Sequence, residues 1–346
     1  MELFIEVLLA GKDALLEYLS AHVLLCLVPA FFIAGAMSVF LSPAAVLKYF
    51  GPKTPKWLSY SVASVSGTVL AVCSCTVLPL FSGIYRRGAG LGPACAFLFS
   101  GPAISVLAII FTARILGFDI GIARAVGAIL FSIAIGLLMA FFYRKEEAKR
   151  CQQAAAVPVA VASEGGRPIW KTGLFFAVLV AILVSASSQW WIPLGVLMAG
   201  LGIMLWRWFP RGELWQWMKE TLHFVRLIFP WLLVGVFAAG IITALVPQDA
   251  VTTYVGGNGI LANFIASFLG ALMYFATLTE VPVIKSLMDL GMGNGPVLSL
   301  LLAGPALSLP SMLVLRNIIG TKKMLSYVGL VVIMATLTGY IYGLVR

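Results

Sequence analysis

Two cysteines separated by a single residue, Cys73 and Cys75, lie in the middle of a long apolar run. Ser74 and Thr76 add hydroxyl groups beside them, and Pro79 follows. Proline has no N–H and clashes with the carbonyl four residues back, so Pro79 frees backbone oxygen near Cys75. Paired soft sulfur atoms suit a thiophilic element such as trivalent arsenic or Cu(I), so Cys73 and Cys75 are candidate metal ligands, and all five residues are candidate substrate-binding residues. Alternatively, the cysteines are small buried apolar residues.

A Gly-Pro pair interrupts each of two other apolar runs. Such a pair predicts that one helical segment ends and another begins, with proline at the first position of the second segment. The new N-terminus presents unpaired N–H groups and a positive dipole end, and interrupted segments in two repeats typically mark a transporter's substrate site. The candidate substrate-binding residues at these breaks are Ser100, Gly101, Pro102, Ser105, Gly304, Pro305 and Ser308. Alternatively, these small residues only allow helices to pack closely.

An acidic residue, Glu280, lies inside an apolar run between Thr279 and a proline, Pro282. A carboxylate within a spanning helix is costly and indicates a functional site by default. We therefore predict that Glu280 carries a coupling proton, and we include Thr279 and Pro282 among the substrate-binding candidates. The alternative is an ion pair between Glu280 and Lys285, whose long side chain can reach a membrane surface.

The chain as a whole is too apolar for a water-soluble protein. Of its 346 residues 61% are hydrophobic and 10% are charged, whereas a soluble domain has roughly 25% charged residues. Apolar runs of about 20 residues without β-type alternation predict an all-α, polytopic membrane protein with about ten transmembrane helices. The predicted spans are 21–42, 57–84, 88–113, 118–143, 173–190, 192–209, 222–246, 258–284, 293–315 and 324–345.

The charge and motif content narrow the function class. The net charge of +10 fits basic cytoplasmic loops facing anionic lipid, so we expect lipid contact and no nucleic-acid partner. The sequence has no phosphate-binding Gly-rich loop with lysine, no nucleophile elbow and no zinc-protease helix, so we expect neither an enzyme nor a cofactor. Residues 1–20 lack a basic segment followed by a small-residue cleavage site, so we expect them to be retained.

The two halves of the chain contain an internal repeat. Residues 79–105 match residues 282–308 at a constant offset of 203, with ten identities in 27 ungapped positions where roughly two or three are expected by chance. We therefore predict two homologous four-span repeats with broken helices. The predicted order is a first repeat at 1–143, a cytoplasmic connecting loop at 144–171, two linking spans and an interfacial segment at 172–212, and a second repeat at 213–346. The sequence leaves open whether the repeats are parallel or inverted.

The run CSCTVLPLFSGIYRRG, the downstream SGPAIS and the second copy TEVPVIKSLMDLG…AGPALSLPS resemble the predicted-permease family that includes the bacterial trivalent organoarsenical efflux permeases. The resemblance covers nearly all of the chain except the 144–171 connection. It implies a multi-pass inner-membrane permease that exports methylated or aromatic As(III) compounds, with Cys73 and Cys75 as the motif cysteines. We accordingly expect a secondary transporter whose partners are a small-molecule or metalloid substrate and the membrane lipid.

Other functions stay open at this point. The substrate of a permease could be another soft metal or a small sulfur compound. A membrane thiol oxidoreductase could use Cys73 and Cys75 as its redox pair, although residues two apart on a regular helix point about 200° apart and no quinone or flavin motif is visible. A structural or assembly factor is the third class. The sequence does not set the oligomeric state.

Overall fold

The computed structural model is helical throughout the part of the chain that it describes. That part comprises residues 9, 11–13, 15–16, 19, 27–40, 54–70, 74–104, 106–147, 150, 169–187, 190–245, 254–273 and 280–345. Within these ranges there are fourteen helices longer than one turn: α1 Val28–Phe40, α2 Lys56–Leu70, α3 Ser74–Arg86, α4 Leu91–Ala103, α5 Val106–Ile115, α6 Phe118–Phe142, α7 Ile169–Ser187, α8 Trp191–Trp208, α9 Arg211–Leu245, α10 Ile260–Leu272, α11 Glu280–Asp289, α12 Asn294–Ala306, α13 Leu309–Ile319 and α14 Thr321–Val345.

Several helices are long and apolar enough to cross a membrane. Among the described residues α6, α8, α14 and the Arg211–Ala238 part of α9 qualify singly. The pairs α4–α5 and α12–α13 qualify as bent spans, with bends of 44° and 48°, and α1, α7 and α10 are shorter apolar helices. The chain is therefore an all-helical, multi-pass membrane protein with four to six candidate spans in its described part, and the predicted total of ten is not confirmed.

Three predicted elements differ from the structure. The runs 57–84 and 258–284 are each divided into two helices, α2 with α3 and α10 with α11. The segment after the eighth helix is not a separate interfacial piece, because α9 runs without a break from Arg211. No Gly or Pro interrupts the chain between Gly212 and Pro230, so the helix can continue. Trp217, in the second turn of α9, is buried, and its Nε1 donates to the Phe32 carbonyl at 2.8 Å.

The helix bounds recur along the chain at the offset of 203 residues. Helices α4 and α12 both have 13 residues, α6 and α14 both have 25, and the members of each pair begin 203 positions apart. The four described glycines with left-handed backbone form two pairs at the same offset, Gly88 with Gly291 and Gly117 with Gly320. A side chain is strained in that conformation, so these glycines set the turns before the paired helices.

The same close helix contact also recurs. Helix α4 packs on α6 through Gly92 and Gly136, where a Cβ on Gly136 would lie 2.7 Å from the Gly92 carbonyl oxygen. Helix α12 packs on α14 through Gly295 and Gly339, and a Cβ on Gly339 would overlap the Gly295 carbonyl. Both contacts need glycine because the backbones themselves touch. Gly92 and Gly295 are 203 positions apart, as are Gly136 and Gly339.

Helices α6 and α14 lie side by side and run in opposite directions. Three contacts follow in reverse order along the two helices: Glu147 with Lys323, Tyr143 with Ser326, and Gly127 with Thr338. The Lys323 Nζ lies 3.1 Å from a Glu147 oxygen, and the Tyr143 and Ser326 hydroxyls are 2.7 Å apart. The C-terminal end of α6 therefore meets the N-terminal end of α14.

Helix α10 begins, and helix α11 ends, at the same end of the helix bundle. The N–H of Gly293, just after α11, donates to the carbonyl of Val255, just before α10, at 3.2 Å. Asn258 joins this end to the C-terminal turn of α14, since its Nδ2 donates to the Gly343 carbonyl at 3.1 Å. Helix α11 has ten residues, so Glu280 at its start lies about 15 Å from that end at 1.5 Å per residue.

The bundle has a buried centre and an apolar surface. Helices α4 and α12 are buried along almost their whole length and pack against each other. Helix α8 lies at the periphery, where Trp191, Ile192 and Trp206 are largely exposed. An exposed surface of this kind is what a lipid environment requires.

Candidate functional site

The cysteine segment lies at the junction between α2 and α3. Cys73 directly precedes α3 and lies outside the described residues. Ser74, Cys75 and Thr76 form the first turn of α3, but their side chains also lie outside the described part. The hypothesis that Cys73 and Cys75 bind a soft substrate or metal therefore stays a prediction. Among the described residues there is no group of three or more His, Cys, Asp or Glu side chains that could hold a metal ion.

Pro79 is buried inside α3, at the sixth residue of the helix. Because proline has no N–H, the Cys75 carbonyl receives no helical hydrogen bond from it. The helix nevertheless continues to Arg86. The predicted interruption is thus limited to one missing hydrogen bond near Cys75, and an unwound segment before it would fall at 71–73, outside the described residues.

The first Gly-Pro pair lies at the end of α4 and not at the start of α5, which corrects the prediction. Gly101 and Pro102 are buried in the last turn of α4. The Ser100 hydroxyl lies 3.3 Å from the carbonyl of Ala63 on α2, so it takes part in helix packing. Ser105 lies outside the described residues. The break therefore follows the proline by two residues.

The second Gly-Pro pair repeats this placement. Gly304 and Pro305 are buried in the last turn of α12, and the chain then becomes extended at Ser308. Ser308 is the N-cap of α13, where its Oγ accepts from the Ser311 N–H at 3.3 Å, and Pro310 stands in the first turn. The start signal for the second segment is thus the serine cap followed by this later proline.

Glu280 is the first residue of α11, and it forms a buried ion pair with Arg124 of α6. The Arg124 Nη2 lies 3.3 Å from Glu280 Oε2, and the two side chains are 0% and 1% exposed. Arg124 Nη1 also donates to the Thr112 hydroxyl on α5 at 2.9 Å. Three elements thus place one cation, one anion and one hydroxyl together. Thr279, directly before Glu280, lies outside the described residues.

The alternative pairing of Glu280 with Lys285 is wrong. Lys285 forms its ion pair with Asp289, at 2.7 Å, on the exposed side of α11. Residues five apart on a helix point about 140° away from each other, whereas residues four apart share a face. Pro282 is exposed on the same helix, in the first turn, where proline costs no hydrogen bond.

Each member of the buried pair keeps an atom without a partner. Arg124 Nε and Glu280 Oε1 are buried and have no hydrogen-bond partner among the described residues. A well-satisfied arginine–carboxylate pair instead uses two parallel hydrogen bonds. The contact between Arg124 and Glu280 is therefore a single-point contact in a low-dielectric setting, and in the described part of the chain it leaves one donor and one acceptor without a partner.

Arg124 was missed by the sequence reasoning, although the signal was present. It stands in the run FDIGIARAVGAILFSIAIGLLMAFF, six residues after its first phenylalanine. The rule that singled out Glu280, namely that an ionisable residue inside an apolar span indicates function, applies equally to Arg124. The rule does not show that Arg124 and Glu280 pair with each other, because they are 156 residues apart in the chain.

A second charged cluster, the Glu147 network, joins the C-terminal end of α6 to three other helices. Glu147 accepts hydrogen bonds from the Tyr85 hydroxyl at 2.9 Å and from the Leu91 N–H at 3.2 Å. It also pairs with Lys323 at 3.1 Å and with Arg150 at 3.3 Å. Its carboxylate caps the N-terminus of α4, where the helix dipole favours negative charge. This network ties α3, α4 and α14 to one end of α6.

Comparisons with known proteins identify the family of the chain. The family model of predicted permeases called ArsP_1 matches residues 9–344. The chain belongs to this permease family. The UPF0718 protein MJ0584 of Methanocaldococcus jannaschii is 48% identical over 350 residues, which cover 96% of this chain and 95% of that protein.

A more distant relative belongs to the same UPF0718 group. The UPF0718 protein YraQ of Escherichia coli is 22% identical over 260 residues, covering 73% of this chain and 58% of that protein. No solved structure matches the chain. The ArsP_1 match includes the cysteine segment, both Gly-Pro breaks and the Arg124–Glu280 pair, so all of these candidates lie within the permease unit. The protein is accordingly a membrane permease.

Proposed function

We propose that this permease is a secondary transporter that exports a small thiophilic substrate, such as a trivalent organoarsenical, across the inner membrane. The observation that carries the proposal is the buried Arg124–Glu280 pair between α6 and α11. Charges held deep among apolar helices are costly, and in membrane proteins they mark substrate or proton pathways. The resemblance of the cysteine segment to organoarsenical efflux permeases supports the choice of substrate.

The proposed transporter contains two homologous repeats within the ten apolar segments, and one segment in each repeat does not cross the membrane completely. Support comes from the helix bounds, the left-handed glycines and the Gly–Gly helix contacts, all of which recur at the offset of 203 residues. Chance would not place a turn, a helix start and a helix crossing at the same spacing. Residues 1–143 and 213–346 form the repeats in this proposal, with α7 and α8 as linking spans between them.

The two repeats have inverted orientations in this proposal. Helices α6 and α14 occupy equivalent repeat positions, and they are antiparallel in contact. Inversion needs a segment in each repeat that does not cross completely. Helices α10 and α11 fit this role because the start of α10 and the end of α11 lie at the same end of the bundle. Their lengths of about 20 Å and 15 Å also fall short of the roughly 30 Å hydrocarbon core.

The basic residues support the inverted arrangement. Lys323 meets Glu147, so the start of α14 lies beside the basic 144–171 connection. Tyr60, one turn into α2, is next to Gly136 near the same end of α6, so Lys56 lies there too. A parallel arrangement would divide these lysines between the two sides. Inversion gathers them on one side, which the positive-inside rule makes cytoplasmic.

The substrate site in this proposal lies between the repeats, near the depth of Glu280. By the repeat relation, α2 and α3 correspond to α10 and α11, so the cysteine segment corresponds to the stretch just before Glu280. One repeat would then supply sulfur from Cys73 and Cys75, and the other would supply charge from Glu280. Thiolates would bind the arsenic atom, while the carboxylate would carry the coupling proton.

Everted membrane vesicles test this proposal. Vesicles with the wild-type protein should accumulate a trivalent phenylarsenical under a pH gradient, and the Cys73→Ser/Cys75→Ser double variant should bind it more than tenfold more weakly, about 1.4 kcal/mol. The Cys151→Ser variant is the matched control, since this residue lies in the connection and outside the proposed site. Unchanged binding in the double variant would refute the soft-ligand role.

The same vesicles separate the remaining functions. Accumulation of Cu(I) or a small thiol in place of the arsenical would keep the transporter and change its substrate. Turnover of thiols to disulfides without any accumulation would indicate the thiol oxidoreductase. Absence of both activities, with the protein folded and correctly inserted, would contradict transport of thiophilic compounds.

A further inference from the structure

We propose that Arg124 is the counter-charge from which Glu280 must separate in order to take up a proton, so that the coupling unit is the ion pair and not the carboxylate alone. This inference rests on the proposed transport function and adds a residue to it. Arg124 acts as a positioning residue in this role, because it controls the charge state of Glu280 through a direct contact of 3.3 Å.

The geometry of the pair suits repeated opening. Only one nitrogen of Arg124 meets one oxygen of Glu280, and Nε and Oε1 stay unpaired among the described residues. A buried ion pair offsets its desolvation cost only when its remaining donors and acceptors are satisfied. Among the residues that the structure describes, this pair leaves two of them without a partner, so separating its members loses a single described contact. A pair that served only to hold the helices together would gain from a second parallel hydrogen bond.

Arg124 is also held by Thr112 of α5, so Glu280 is the member of the pair that moves. The Thr112 hydroxyl donates to the Ala108 carbonyl at 2.7 Å, so its oxygen accepts from Arg124 Nη1 at 2.9 Å. Both interactions stay within α5 and α6, which pack against each other. Glu280 instead stands at the first residue of the short helix α11. The guanidinium is therefore fixed on one repeat, and the carboxylate approaches it from the other.

The described helices that contribute to the pair, and α12 beside them, carry few other charged groups. Helix α12, which packs on α11, carries no titratable residue. Helix α5 adds only Arg114, exposed in its last turn, and α6 adds Asp119, exposed in its first turn. On α11 itself, Lys285 and Asp289 pair with each other at the surface. The charge nearest to Glu280 among these groups is therefore Arg124.

The proton balance is simple. With the pair closed, the Glu280 carboxylate is ionised and balances the Arg124 cation. When the pair opens toward one side of the membrane, a proton from that side binds the carboxylate, and Arg124 keeps its hydrogen bond to Thr112. When the carboxyl group reaches the other side, it releases the proton there and the ion pair can form again.

Proteoliposomes containing the full chain test the role of Arg124. For one proton per substrate, a gradient of one pH unit should let the wild type accumulate a trivalent phenylarsenical up to about tenfold. In Arg124→Gln the accumulation ratio should fall to the ratio reached without a gradient, and the pH dependence of counterflow should flatten. The ratio is an equilibrium quantity, so a slower variant does not imitate the effect.

Three further variants make the result interpretable. The double variant Arg124→Gln/Glu280→Gln leaves no unpaired buried charge, so it should fold while still lacking uphill accumulation. Arg124→Lys keeps the positive charge and should restore part of the accumulation, with a shifted pH profile. The surface-pair variant Lys285→Gln/Asp289→Asn is the matched control on the same helix, and it should accumulate substrate like the wild type.

Infrared spectroscopy supplies a readout that does not depend on transport. At neutral pH, Arg124→Gln should show the absorption of a protonated carboxylic acid that is absent from the wild type and from the Arg124→Gln/Glu280→Gln double variant. A wild-type pH profile and accumulation ratio in Arg124→Gln would overturn the inference. If that occurred while Glu280→Gln was uncoupled, the carboxylate would act alone and the proposed function would stand. If the wild type itself neither exchanged nor accumulated the arsenical, the proposed function would fail, and the infrared comparison would still report on the pair.

Discussion

The Glu147 network makes a strong prediction about stability. Glu147 pairs with two cations, Lys323 and Arg150, while accepting hydrogen bonds from Tyr85 and Leu91. In Glu147→Gln an NH₂ group replaces one of the two carboxylate oxygens, each of which contacts one cation and one further donor. The NH₂ group repels the cation on its side, so two charge-assisted contacts disappear. Each is worth about 1.5–3 kcal/mol, and partial rehydration of the cations returns some of it. We expect a loss of about 2–4 kcal/mol in the free energy of unfolding.

The neighbouring acidic residue provides a matched control. Glu146 is 62% exposed, and its carboxylate lies 3.5 Å from the Lys323 Nζ. Exposed ion pairs contribute about 0–1 kcal/mol because water screens them, so Glu146→Gln should be nearly neutral. Both variants carry the same change in net charge, one residue apart. Their difference therefore isolates the buried contacts of Glu147.

Reversible unfolding in mixed micelles measures this difference, with tryptophan fluorescence as the signal. Glu147→Gln should unfold at clearly lower denaturant than Glu146→Gln, which should match the wild type. Equal destabilisation of the two variants would show that overall charge matters and that the network geometry does not. A Glu147→Gln variant as stable as the wild type would refute the reasoning from the contacts.

Two further predictions concern the helix crossings. Gly339→Ala should destabilise the protein by about 1–3 kcal/mol because the new Cβ would overlap the α12 backbone. Gly329→Ala on the same helix has open space around it, so it should be neutral or slightly stabilising. Unfolding in mixed micelles measures both variants. In a chain without its native cysteines, Gly127→Cys/Thr338→Cys should form a disulfide on oxidation, because a Cβ at 127 lies 3.6 Å from the Thr338 methyl carbon. The control pair Gly127→Cys/Thr336→Cys should not form one. Failure of the first pair to cross-link would contradict the antiparallel contact of α6 and α14.

The long helices could be predicted closely from the sequence. The apolar run 118–143 became α6, Phe118–Phe142, and the run 324–345 became the greater part of α14, Thr321–Val345. Both runs are bounded by charge or glycine and are long enough to satisfy their own backbone hydrogen bonds in lipid. Local composition decides such helices, so hydropathy was sufficient.

The paired short helices could not be predicted in the same way. The run 258–284 is as long and apolar as a spanning helix, yet it contains two helices, α10 and α11. The start of α10 and the end of α11 lie at the same end of the bundle. Hydropathy measures how apolar a segment is, and a segment that enters and returns is as apolar as one that crosses. The distinction lies in a contact between Val255 and Gly293, which no local pattern contains.

The candidate site was predicted in part for a similar reason. Glu280 was recognised because a lone carboxylate in an apolar run is unusual in any fold. Its partner, Arg124, depends on how two distant helices meet, and the nearer cation Lys285 was excluded only by its direction around the helix. The sequence thus indicates which residues are costly to bury, and the tertiary structure indicates what balances them.

The proposed repeats also explain why charge would be needed at only one of the two equivalent contacts between them. Inverted repeats can exchange conformations, and on their own they provide two equivalent end states. The chain differs between its halves at the pair, because Tyr327 and Val77 occupy the positions equivalent to Arg124 and Glu280. Exchange would separate the ion pair on one side and bring an uncharged pair together on the other, so the two states would differ by the electrostatic free energy of the pair. A proton on Glu280 removes much of that difference, since the contact then no longer joins two charges. The sequence difference between the repeats, more than their common fold, would therefore let a proton gradient set the direction of transport.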